Sequence, residues 1–202
     1  MRLIEKTLLA FSSVLMFASC SSTKVFVTNT KTINVLPPSC IERETDKIYM
    51  LTATFGENNF STPVYLTVNK KEISMLMVSD FGTTLAKLFY DGEKCTLEST
   101  VLPKKIAPQY LVADLEYTFG DIVEIEAELK KAGLTFSVIS EFGSESSPGV
   151  AAPNHQFRFI FDGKKKIAQI DISEDGTIEI ENYLRNYKYK LVEISDDLEV
   201  SE

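Results

Sequence analysis

From Lys47 onward, apolar and polar residues alternate in short runs separated by small polar connections, the period-two pattern of half-buried strands. Tyr49, Leu51, Ala53 and Phe55 share one face of the first run, Val64, Leu66 and Val68 of the second, and Ile73, Met75 and Met77 of the third. Polar connections at residues 56–59, 69–72, 80–82 and 91–92 predict hairpins, and strands near residues 84–90 and 94–101 complete a first antiparallel set. Alternation means that one face of this sheet is wet. A second set is predicted at Leu134 to Ser140, Gln156 to Phe161, Lys166 to Ile172, Thr177 to Glu181 and Tyr187 to Ile194, with turns at Asp162–Gly163 and Asp175–Gly176.

Between the two sets, residues 101–133 carry helical rather than strand patterning. Pro108 suits a first helical turn, after which Leu111, Val112, Leu115 and Phe119 recur at helical spacing. A second helix is predicted from its N-cap Asp121, with Glu124 in the capping-box position, Lys130 and Lys131 in the last turn and Gly133 as the stop. About ten meandering strands and two short helices predict an α+β, mainly β fold: an antiparallel half-open barrel enclosing the helices, not a parallel α/β sheet. Strands curving around an apolar helical pair are a shape able to hold a greasy ligand.

Residues 1–19 read as an export signal, with Arg2 and Lys6 before a mostly apolar core from Leu8 to Phe17 that is too short to span a bilayer. Phe17, Ala18, Ser19 and Cys20 then look like a bacterial lipobox, so Cys20 is the expected lipidation site and new N-terminus. Two Ser residues and no Asp follow Cys20, which by similarity to enterobacterial lipoproteins favours a periplasm-facing outer-membrane anchor. Residues 20–45 are expected to be the lipidated N-terminus and a tether, although KVFV and INVL are β-like runs able to pair with the sheet. Residues 196–202 form an acidic tail.

Loss of residues 1–19 removes Arg2, Lys6 and Glu5, leaving 19 basic and 28 acidic side chains and a net charge of −9. That balance argues against a nucleic-acid partner, and the lysines at 70–71 and 164–166 read as solvated hairpin tips. His155, the single histidine, has no local nucleophile pattern and reads as a surface residue. DISEDG at residues 171–176 resembles a calcium loop, but Asn182 stands where an EF-hand needs a carboxylate, and the flanks alternate as strands. Cys40 and Cys95 remain as thiols that an oxidising compartment would allow to pair as a staple; the sequence leaves that pairing open. With no phosphate-cradling loop, metal-spaced His/Cys cluster or nucleophile turn, no enzyme activity, cofactor or metal is expected.

Leu102, Pro103 and the run Pro108 to Phe119 with LVADLEY at its heart, together with FGTTLAKLFYDG at 81–92, the strands from Gln156 to Asp171 and YKYKLVEI at 187–194, resemble the LolB-like outer-membrane lipoproteins. The likeness is to the branch associated with aryl-polyene biosynthesis genes, and it departs at Phe119–Gly120, where Trp-Pro is usual. It implies a LolB-like β-barrel domain over residues 46–195 and a carrier that takes acyl chains or lipidated cargo, received from a periplasmic carrier protein, into an apolar cavity. On that reading Tyr49, Leu51, Phe55, Met75, Met77, Leu111, Leu115 and Phe119 line the cavity. Val150, Ala151 and Ala152, an apolar triplet in the polar loop 143–154, are expected to touch membrane or cargo at its mouth. The alternative is a structural envelope lipoprotein that docks a protein partner and holds no ligand.

Overall fold

Burying one side of each alternating run produces the sheet. In the computed structural model, which describes residues 24–103, 106–141 and 155–194, the chain begins with β1 (Lys24–Phe26), β2 (Thr32–Asn34) and a 3-10 turn (Pro38–Cys40). Five strands follow: β3 (Thr45–Phe55), β4 (Asn58–Val68), β5 (Ile73–Val78), β6 (Thr84–Tyr90) and β7 (Cys95–Ser99). Helices α1 (Pro108–Phe119) and α2 (Ile122–Lys131) lead to β8 (Thr135–Glu141), β9 (His155–Asp162), β10 (Lys165–Ile172), β11 (Ile178–Asn182) and β12 (Tyr187–Glu193). The apolar faces read from the first three runs are the buried faces of β3, β4 and β5.

β3 to β12 form one ten-stranded antiparallel sheet in the order β7-β6-β5-β4-β3-β12-β11-β10-β9-β8. Two five-strand meanders therefore meet at the β3–β12 pairing, where Phe55 faces Tyr187, Ala53 faces Tyr189 and Leu51 faces Leu191. β7 and β8 are the edges and are not hydrogen-bonded to each other. The helical pair joins one edge to the other, so the chain must cross the sheet, and it does so over the apolar face. Strand direction fixes what shares an end: the turns after β3 and β5, the approach to α1 and the turn before β12 lie together. The β8–β9 connection leaves from the opposite end.

Helix boundaries follow their caps. Pro108 opens α1, and Asp121 Oδ1 accepts the Val123 and Glu124 N–H groups at 2.8 and 3.1 Å at the start of α2. The Asp121 N–H donates to the Cys40 carbonyl, tying α2 to the 3-10 turn. Gly133 ends α2 at φ +67°, the left-handed conformation that glycine adopts without a Cβ penalty.

Residues 24–41 are folded onto the helices, where the sequence suggested a tether. β1 pairs with β2 in a separate two-stranded sheet, and Val25, Val27, Ile33, Val35 and Ile41 enter the core. Two carboxylates fix this layer: Glu128 Oε1 accepts the Asn34 N–H at 2.8 Å and Glu116 Oε2 accepts the Leu36 N–H at 3.1 Å. With the sheet on one side and this layer on the other, α1 is buried without interruption from Leu111 to Phe119.

Candidate functional site

Six of the eight residues expected to line a cavity converge. Leu51 and Phe55 from β3, Met75 and Met77 from β5, and Leu111 and Leu115 from α1 surround a single apolar space, closed by Leu102, Tyr189 and Leu191. Tyr49 and Phe119 are buried elsewhere: the Tyr49 hydroxyl lies 2.9 Å from that of Thr45, and Phe119 packs beneath the Arg43 guanidinium. The free volume is about 20 Å³, room for about one water, whereas small-molecule sites usually offer about 300 Å³ or more. Side chains fill this interior, and a ligand there would have to displace them.

At the end of the sheet where α1 begins, a groove of about 760 Å³ opens to solvent between Phe55, Asn58, Pro103, Ile106, Tyr110 and Tyr187. Phe55 borders both groove and interior, with ring centroids 6.0 Å from Phe60 and 5.4 Å from Tyr187. It is the partition between them. The same end carries Phe81, at the tip of the β5–β6 hairpin, with 97% of its surface exposed. Cys20 and the triplet Val150, Ala151 and Ala152 lie outside the described residues. The strand ends that flank the triplet's loop, Glu141 and His155, stand at the end of the sheet opposite the groove.

Sequence reasoning missed the buried polar groups of α1. Asp114 Oδ2 accepts a hydrogen bond from the Tyr187 hydroxyl at 2.6 Å and a longer one from Tyr189 at 3.5 Å. Burial pushes the Asp114 carboxyl up to about 7, against the pull of these donors and of the Arg185 charge. Glu116 is held well above the usual carboxylate range, chiefly by burial, and its Oε1 has no hydrogen-bond partner. The signal was present in LVADLEY. Two carboxylates two residues apart project about 200° apart on a helix, so once one helix face packs on the sheet, both cannot point to water.

The remaining candidates do not line the apolar space. The Cys40 and Cys95 thiols are both free and half-buried, and burial pushes Cys95 up to about 12, which keeps it in the unreactive thiol form. His155 pairs through Nε2 with Asp171 on the outer face of the sheet, and its ring lies tilted against that of Phe157, centroids 4.3 Å apart. DISEDG closes the β10–β11 hairpin, with Asp175 accepting the Thr177 N–H at 2.9 Å. Among the described residues no three His, Cys, Asp or Glu side chains gather as a metal set, and no helix is long and apolar enough to cross a membrane.

A family model described as a protein of unknown function, DUF3261, matches residues 49–195. The chain belongs to the DUF3261 family. No curated protein matches it. The DUF3261 span takes in α1, α2, every strand from β4 to β12 and most of β3, so both walls of the apolar interior and the Asp114–Tyr187–Tyr189 network fall within it. The β1–β2 layer that covers the other side of α1 precedes the span.

Proposed function

We propose that this DUF3261 protein is a LolB-like lipoprotein of the outer membrane, anchored through Cys20, that takes an acyl chain between α1 and the sheet and delivers it to a bilayer. The sheet then acts as a half-open barrel around α1. The observation that carries this reading is the position of Phe55, a single ring between an open groove and an interior walled almost wholly by apolar atoms. Swinging Phe55 and the start of α1 outward would open one to the other. Met75 and Met77, flexible and polarizable, are suited to repacking around a chain. Each buried CH₂ would contribute about 0.8 kcal/mol towards the cost of that opening. No chemical step is required.

Delivery needs contact with lipid, and the exposed Phe81 at the groove end of the molecule fits that role better than a loop rooted at the far end. An aromatic side chain buried in the membrane interface contributes about 1.5–3 kcal/mol. Phe81→Ser is therefore expected to leave binding of a fluorescent fatty acid in solution unchanged while slowing its transfer to vesicles about tenfold. Transfer at the wild-type rate would remove Phe81 from the mechanism. The filled interior favours the rival reading, a ligand-free docking lipoprotein; a stoichiometric protein partner recovered with an unoccupied interior would support it.

A further inference from the structure

Tyr110 and Arg185 border three hollows at the groove end: the groove itself, a neighbouring hollow of about 330 Å³ beside Phe26 and Leu184, and the small space over Asp114. Arg185 is held there by its surroundings. Its backbone N–H donates to Asn182 Oδ1 at 3.0 Å, and its guanidinium carbon lies 3.8 Å from the centroid of the Tyr110 ring. Of the five N–H donors that a guanidinium carries, Nη1 makes a long bond of 3.5 Å to the Val27 carbonyl. Among the described residues Arg185 has no ion pair. Asp114, whose carboxyl feels the Arg185 charge, is engaged by the hydroxyls of Tyr187 and Tyr189. A half-buried cation, oriented by an aromatic face and with donors to spare, thus forms one wall of the groove. Among the described residues, Glu57, exposed at the β3–β4 turn, is the other charged side chain bordering it.

We propose that Arg185 is the head-group site of the cargo, binding the carboxylate or phosphate of an anionic amphiphile whose chain passes Phe55 into the space beside α1. This rests on the acyl-carrier reading and gives it a substrate class. Phe55 and Tyr187 are register partners on β3 and β12, and Arg185 lies two residues before Tyr187, so head-group and chain sites adjoin along one wall. Charge-assisted hydrogen bonds to a planar guanidinium favour a forked oxyanion over a neutral ester.

The test titrates the purified protein with a fluorescent fatty acid, with its methyl ester and with inorganic phosphate, using wild type, Arg185→Gln and Arg185→Lys. Thermal unfolding checks that each variant folds. The acid is expected to bind wild type about tenfold more tightly than the ester. Arg185→Gln should abolish that preference and Arg185→Lys should keep part of it, with ester binding equal in all three proteins. Equal binding of acid and ester to wild type would overturn the head-group site while leaving the carrier reading intact. Binding of neither would remove both. An acid preference that survives in Arg185→Gln, or phosphate binding alone as tightly as the acid, would also overturn the assignment, the latter in favour of a free-anion site.

Discussion

The unfolding free energy of wild-type protein should fall relative to that of Asp114→Asn as the pH rises from 4 to 8. In the unfolded chain Asp114 titrates near its usual 3.8, and in the folded protein near 7, because burial penalises the charged form more than Tyr187, Arg185 and Tyr189 favour it. Below pH 3.8 the carboxyl is protonated in both states and its contribution to stability is fully present. Between 3.8 and 7 only the unfolded chain releases the proton, so stability is lost at about 1.4 kcal/mol per pH unit. The whole interval is worth on the order of 4 kcal/mol. Glu116, raised chiefly by burial, acts in the same direction and is common to both proteins. Asn keeps an oxygen for the Tyr187 hydroxyl and does not titrate. Urea unfolding of the two proteins at pH 4, 5.5, 7 and 8 should therefore give a gap that widens with pH; a pH-independent gap would mean that Asp114 is not neutral in the folded interior.

Arg158→Met should cost about 3 kcal/mol, although methionine nearly matches the volume lost. Arg158 is buried on β9, its Nη1 donates to the carbonyls of Tyr117 and Gly120 at 2.9 and 3.3 Å, and its Nε donates to Gln156 at 2.7 Å. These carbonyls close the end of α1, where backbone acceptors lack intrahelical partners and a cation is favoured. Burial, with Arg43 nearby, pushes the guanidinium down to about 10, so it remains charged at neutral pH. Methionine would leave the carbonyls buried and unpaired, and a denaturation midpoint within about 1 kcal/mol of wild type would mean that water replaces the guanidinium.

What the sequence revealed is what local rules govern. Alternation placed Tyr49, Leu51, Ala53 and Phe55 on one face of β3, and Asp121 and Gly133 marked the ends of α2, because pleating and capping involve neighbours in the chain. The layer formed by β1 and β2 was hard to read, since strands of three residues carry almost no periodicity. Its attachment depends on Glu116 and Glu128, each bonded to a backbone N–H at least 80 residues away. Asp114 eluded the pattern for the same reason: its partners stand 73 and 75 residues further along the chain. The apolar lining was legible as an inward-facing stripe, but whether it encloses space depends on side-chain volumes across β3, β5, β12 and α1, which no single run contains.

Native mass spectrometry of the intact protein released gently from membranes tests the central claim most directly. The expected spectrum has a chain that begins at Cys20 and carries covalent acyl groups, together with a further non-covalent mass, lost on activation, that matches an acyl-containing amphiphile. Protein that is consistently free of such a mass, and that binds no fluorescent fatty acid when one is added, would contradict the carrier account.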